Sequence, residues 1–160
     1  MTDPGPSATV TVEVAAEPAA VYALLTDLEA MVELAEETVA MRWSRGSSAN
    51  VGAVFKGTNR NGWRRWTTTC TVTDADPGRC FAFDVKHIVV PVSRWQYDIT
   101  ATDGGCTVTE STWDRRPGWF KGVAGLATGI PNRAGANAAH IGTTLERLKR
   151  RAEADAATIA

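Results

Sequence analysis

Between Gly52 and Trp113 the chain alternates apolar and polar residues through five stretches, whereas the segments on either side carry helical spacing. The first strand is Ala8 to Val14, with Val10, Val12 and Val14 on one face and Thr9, Thr11 and Glu13 on the other. Glu17-Pro18 then opens a helix, because proline at the first helical position loses no needed hydrogen bond, and Val21, Tyr22, Leu24, Leu25 and Leu28 follow at helical spacing. Asp27 is placed to cap a second short helix holding Met31, Val32 and Leu34. Two short helices after an edge strand form a corner, not a crossover to a parallel neighbour. Thr38 to Trp43 alternates again through Val39, Met41 and Trp43, and Gly46 to Asn50 is a loop.

The long alternating region divides at turn chemistry. Ala53, Phe55, Gly57 and Asn59 share a face, and Asn61-Gly62 is a hairpin signal because both residues tolerate positive φ. Trp66, Thr68, Cys70 and Val72 share the next face, Asp76-Pro77-Gly78 turns the chain, and Phe81, Phe83 and Val85 follow. A wide connection over Lys86 to Pro91 leads to an inward set of Trp95, Tyr97 and Ile99. Asp103-Gly104-Gly105 then turns the chain into a strand where Val108 and Glu110 fall on one face. After Arg116-Pro117, Trp119, Phe120, Val123, Leu126, Ala127 and Ile130 read as helix interrupted by Gly118, Gly122, Gly125 and Gly129, and Pro131 is expected to break it. The final helix, Ala134 to Ala154, carries an apolar stripe of Ala134, Ala138, Ile141, Leu145 and Leu148. The expected organisation is a flexible arm over residues 1–7, one domain over 8–154 and a tail over 155–160, with no internal repeat.

Composition narrows the partners. A length of 160 residues suits one domain with room for both a core and a cavity. The net charge of -1 offers no global field for nucleic acid or an anionic membrane, so any charged partner is recognised locally. Cys70, Cys80 and Cys106 are odd in number and widely spaced beside only two histidines, which indicates neither a zinc site nor a disulfide framework. Neither a metal nor a cofactor is expected, and reduced thiols fit a cytoplasmic protein. No apolar run approaches the roughly 20 residues that span a bilayer, so stable membrane insertion is not expected. The oligomeric state is not readable.

The order strand, two short helices, antiparallel meander and long C-terminal helix resembles the START-like or SRPBCC superfamily, the Bet v 1-like or helix-grip fold. Within it the chain is most similar to the polyketide cyclase/dehydrase and lipid-transport group. The likeness rests on Glu17-Pro18 through Leu28, Val51-Gly52-Ala53-Val54-Phe55 with Gly57, and Asp76-Pro77-Gly78 before Phe81-Ala82-Phe83. Ser93 through Tyr97, Gly105 through Ser111 and Leu145 through Lys149 extend it over nearly the whole chain. These motifs describe architecture more than reaction. They imply an α+β fold in which a curved antiparallel sheet of about seven strands wraps around the long C-terminal helix, with a hydrophobic small molecule held between them.

The residues themselves support a hollow. Phe55, Trp66, Phe83, Trp95 and Tyr97 face inward from the sheet, while Gly122 to Ala139 offers mainly alanine and glycine opposite. Glu110 follows Val108 to the inward face, where a carboxyl in a dry cavity has a raised pKa and acts as a general acid or base, or anchors a ligand hydroxyl. The plainer alternatives are a bulge that turns Glu110 to water, or a structural pair with arginine. His140, beside Ile141, is a proton donor to a ligand or simply a hydrogen-bonded helix residue, and His87 lies in a connection. Arg60, Trp63, Arg64, Arg65 and Trp66 combine basic and aromatic groups, but without a basic chain they read as a solvated hairpin and no nucleic acid is expected. Arg147 to Arg151 suit the negative end of a helix dipole. The glycines from 118 to 129 match no nucleotide loop and favour a mobile lid carrying Trp119 and Phe120. Cys70 reads as a small buried apolar group.

The expected function is binding or transport of a hydrophobic, cyclic or lipid ligand. Its lining residues are Phe55, Asn59, Trp66, Phe83, Trp95, Tyr97, Glu110, Leu126 and Ile141. An enzyme of the cyclase or dehydratase type using Glu110, His140 or Tyr97 is the alternative, and a protein-interaction module with a filled core is a third. No catalytic pair is defined by spacing.

Overall fold

A computed structural model describes residues 4–130 and 132–160, excluding the side chain of Ala134. Seven antiparallel strands form one sheet in the order β1-β7-β6-β5-β4-β3-β2. They are β1 (Ala8–Val14), β2 (Thr38–Arg45), β3 (Val54–Asn61), β4 (Arg64–Asp76), β5 (Cys80–His87), β6 (Val90–Thr102) and β7 (Gly105–Asp114). Helices α1 (Pro18–Thr26) and α2 (Leu28–Leu34) carry the chain between the two edge strands, and α3 (Gly118–Thr128) and α4 (Arg133–Ile159) follow the sheet. This is the expected α+β helix-grip arrangement.

Local chemistry sets the helix starts. Pro18 occupies the first turn of α1, and the Asp27 carboxylate accepts from the Glu29 and Ala30 amides at 2.9 and 3.3 Å to cap α2. β1 pairs with β7 from Ala8↔Thr112 to Val14↔Cys106, and Ser7, the last residue of the arm, already donates its amide to the Thr112 carbonyl. The C-terminal helix also runs through the expected tail as far as Ile159.

Several connections differ from expectation. Asn61 pairs with Arg64, so the β3–β4 turn is Gly62-Trp63, one residue later than the Asn-Gly pair suggests; Gly62 supplies the positive φ of 61°. The β5–β6 connection is a two-residue turn because His87 pairs with Val90, and Ile88 takes a φ of 56°. In β2 a bulge between Thr38 and Ala40 turns Thr38 inward and leaves Val39 41% exposed, against the expected Val39, Met41, Trp43 face. α3 forms despite its glycines, ending at Gly129 with φ 73°. The expected break at Pro131 and the contribution of Ala134 to the stripe lie outside the described residues, as do the first three residues of the arm.

The core divides the concave face. Ile141, Leu145, Leu148 and Ala152 are fully buried against Val14, Leu25, Leu34 and Val108, which anchors the middle of α4 to β1, α1 and α2. Ala138, expected in the same stripe, is exposed. Across the sheet a file of rings, Tyr22–Phe81–Phe83–Phe55–Trp43, has successive centroids 6.5, 5.5, 5.1 and 5.5 Å apart in tilted or edge-to-face contact. The rings pack on one another and do not fill the space under the N-terminal half of α4.

Gly105 is the tightest point of the frame. A β-carbon there would run into the Val14 carbonyl oxygen, and its φ of 148° disfavours any side chain. Gly105→Ala is expected to cost more than about 3 kcal/mol of unfolding free energy, read as a lowered urea midpoint with an unchanged slope.

Candidate functional site

The sheet and the N-terminal half of α4 enclose a partly open cavity of about 230 Å³. Its sheet wall carries Phe55, Asn59, Trp66, Phe83, Trp95, Tyr97 and Glu110, seven of the nine expected lining residues. The other two lie elsewhere. Leu126 is 83% exposed, because α3 turns Ala124 and Thr128 inward and Leu126 sits on its opposite face. Ile141 is fully buried in the core beneath the cavity, since the helix face with the spacing Ile141, Leu145, Leu148 is the one anchored to β1.

The helix wall is polar. Arg133, Asn137, His140 and Thr144 recur at spacings of four, three and four and line the cavity from α4. The spacing of this polar stripe is visible in the sequence beside the apolar stripe of the same helix. The segment between α2 and β2 meets it. Both Glu37 carboxylate oxygens accept from Arg133 Nη1 at 3.0 and 2.9 Å, and His140 Nε2 lies 3.1 Å from Glu36 Oε2. A short relay continues along the sheet wall, with Thr38 donating to Asn59 at 2.9 Å and the Asn59 amide donating to Thr68 at 3.2 Å. Arg133 also stands 5.8 Å over the Trp66 ring. His140 is therefore tied to Glu36 at the cavity edge, and His87 Nδ1 donates to the Thr67 carbonyl, 2.8 Å away, with its ring 6.4 Å from Phe120.

Glu110 is the chemically distinctive group. It is 2% exposed, and Tyr97 donates its hydroxyl to Oε1 at 2.8 Å from the paired position on β6. Among the described residues, Oε2 is the buried side-chain polar atom without a hydrogen-bond partner. Burial pushes the carboxyl up to about 8, although the Tyr97 hydrogen bond pulls it down; burial and the facing carboxyl together raise the Tyr97 hydroxyl well above its usual value. With the carboxyl raised to about 8, Glu110 is mainly protonated at neutral pH, and because Oε1 accepts from Tyr97, Oε2 is the oxygen left to carry the proton. Neither alternative for Glu110, the bulge or the arginine pair, is found among the described residues.

Other polar groups around the cavity have partners of their own. Trp95 donates its indole N–H to Ser93 Oγ at 3.0 Å, and Arg116 and Asp114 form a close pair at 2.8 Å where α3 begins. The Cys70 thiol in the sheet wall is pushed by burial up to about 12, so it carries no thiolate at neutral pH. Among the described residues no group of three or more His, Cys, Asp or Glu side chains could hold a metal ion, and no helix is long and apolar enough to cross a membrane.

Comparison with known proteins places this arrangement. Residues 6–153 match the family model described as polyketide cyclase/dehydrase and lipid transport. No curated protein matches the sequence. Among solved structures, the di-domain ARO/CYC StfQ from the steffimycin biosynthetic pathway superposes with a TM-score of 0.74 at 13% identity, over 93% of this chain and 51% of that one. The chain thus spans about half of that protein. The polyketide-cyclase-like protein Cgl2372 from Corynebacterium glutamicum gives 0.63 at 26% identity, over 96% and 95% of the two chains. NE0264 from Nitrosomonas europaea gives 0.70 at 16% identity, over 93% and 95%, a likeness of fold.

The raised Glu110 value links stability to pH. The folded chain keeps a proton that the unfolded chain releases above the ordinary value of 4.5, so this contribution is full below that pH, falls as pH rises, and levels off above about 8. Urea titrations from acid to alkaline pH are expected to show a loss of a few kcal/mol across this window, absent in Glu110→Gln. Equal slopes in both proteins would place an ionised Glu110 in the fold.

Proposed function

The chain belongs to the polyketide cyclase/dehydrase and lipid transport family, and from that premise we propose that it binds a hydrophobic, oxygen-bearing small molecule between the sheet and α4. Membership and the fold of its structural relatives support a hydrophobic ligand-binding frame. The chemistry of the ligand is read from the walls. Phe55, Phe83, Trp66 and Trp95 offer flat apolar surface for a ring system or chain, and apolar area removed from water at roughly 25 cal/mol per Å² supplies the affinity. Asn59 and the Arg133–His140 side set the orientation of polar substituents, while the helix wall favours a ligand with oxygen atoms along one edge.

The observation that carries this reading is the unpartnered Glu110 Oε2. A buried donor without an acceptor costs about 1–3 kcal/mol, and a ligand carbonyl or hydroxyl oxygen placed against it removes that cost. Tyr97 holds the carboxyl in position. Purely aliphatic ligands leave the group unsatisfied and bind more weakly.

The same group favours a second reading, a cyclase or dehydratase. A carboxylic acid held to about 8 beside a tyrosine is poised to protonate a substrate oxygen near neutral pH. The two readings differ in what Glu110→Gln does. The amide keeps a donor at that position and removes the transferable proton, so a carrier retains binding whereas an enzyme loses turnover.

Native mass spectrometry of the purified chain is expected to detect a retained apolar molecule. Thr144→Phe, which adds a ring to the helix wall, should abolish retention with the thermal midpoint held. Glu110→Leu should weaken binding of an oxygenated ligand about tenfold or more, with Glu110→Gln close to the parent. Retention unaffected by Thr144→Phe would remove the cavity as the binding site.

A further inference from the structure

The antiparallel order brings the β3–β4 turn, the β5–β6 turn and the exit from β7 into α3 to one end of the sheet. Six of the nine large apolar side chains exposed on the described residues lie at this end: Trp63 at the first turn, Ile88 and Val89 at the second, and Trp119, Val123 and Leu126 on α3. The last three recur at spacings of four and three and form an outward stripe, while Ala124 and Thr128 take the inner face. Such a concentration marks an interaction surface, since single exposed apolar residues are otherwise scattered.

Two further features belong to the same end. Residues 59–73, 85–97 and 115–145 contain no aspartate or glutamate, although the chain as a whole carries -1. Arg60, Arg64, Arg65 and Lys86 have no acidic partner among the described residues, and Arg64 stacks 4.5 Å from the Trp63 ring. The nearest acid at the start of α3, Asp114, is shared by Arg116 and Lys121. Ile88, 79% exposed, holds a φ of 56°, a conformation that costs a β-branched residue about 1–3 kcal/mol and that glycine or asparagine would adopt freely. Folding alone does not account for an isoleucine there, whereas an outside contact for its side chain does.

We infer that this end of the molecule docks on an anionic lipid bilayer, with Trp63, Ile88, Val89 and Trp119 entering the headgroup boundary and Arg60, Arg64, Arg65 and Lys86 meeting lipid phosphates. Tryptophan and branched aliphatics on separate short projections suit a surface that deforms around them, and flanking arginine and lysine complement its charge. A continuous groove for a partner helix or strand is not what the two turns and α3 present. The contact is peripheral, because nothing in it is long enough to span. Phe120, Ala124 and Thr128 on the inner face of α3 line the cavity, so docking sets the roof of that cavity against the lipid. The inference rests on the outer surface and does not require any particular occupant of the cavity.

Sedimentation of the full chain with phosphatidylcholine vesicles, with and without phosphatidylglycerol, tests it. Binding to the mixed vesicles is expected at low salt, at least about tenfold weaker on phosphatidylcholine alone, and reduced as salt is raised. Trp119→Ser combined with Ile88→Asn should weaken binding about tenfold, and Arg64→Gln and Lys86→Gln about fivefold each, with circular dichroism unchanged. Absence of binding to the anionic vesicles, or binding indifferent to both sets of substitutions, would overturn the inference. So would a dimer abolished by Trp119→Ser without vesicle binding, which would give the face to a second copy of the chain. Glu110→Gln and Thr144→Phe leave vesicle binding intact if the inference holds, so a failed cavity reading and a failed docking surface give different results.

Discussion

Helix α4 has enough apolar surface to close only part of the sheet. From Ile141 to Ala152 it presents branched and small apolar side chains that lock against β1, α1 and α2. From Arg133 to Thr144 the residues facing the sheet are charged, amide and hydroxyl groups. Pressing this polar face against Phe55 and Phe83 would desolvate it and break the contacts of Arg133 with Glu37 and of His140 with Glu36, so the helix stands off and the hollow persists. The site is thus a direct consequence of a change of character within one continuous helix.

The standing-off half is held by polar contacts with the segment that enters β2. Glu36 and Glu37 at the entrance to β2 take His140 and Arg133, and the bulge in β2 delivers Thr38 to the relay through Asn59 and Thr68. Polar contacts therefore run from the helix to the sheet around one side of the cavity, leaving the aromatic wall free. Glu110 lies outside this network. It is held by Tyr97 alone, which is why its protonation follows burial and not a neighbouring charge.

Much of this was legible because it is local. Period-two alternation located the strands, and Pro18 and Asp27 marked the helix starts, since these signals act within a few residues. The inward placement of Glu110 also followed from alternation, because β7 is regular through that point. What was not legible depends on context. Nothing in Ile88-Val89 announces a two-residue turn, and the bulge that displaces Val39 is set by pairing with β3. Helical character alone does not say which face of α3 meets the cavity: Ala124 and Thr128 take that side and Leu126 the opposite one. The polar stripe on α4 has a readable spacing, but it shares the helix with an apolar stripe that suggests burial of the whole face.

The pairing of β1 with β7 has a consequence for synthesis. Thr9 and Ser111, 102 residues apart, bond across this pair, and Lys149 and Glu153 of α4 bond to Glu13 and Ala15 at its end. The Leu34 and Ala35 carbonyls at the end of α2 likewise accept from Arg147. At translation rates of roughly 5–20 residues per second, the first strand emerges about 5–20 seconds before its partner exists. During that interval the side of this valine-rich strand that pairs with β7 is open to neighbouring nascent chains, and it closes only once residues 105–114 have been delivered.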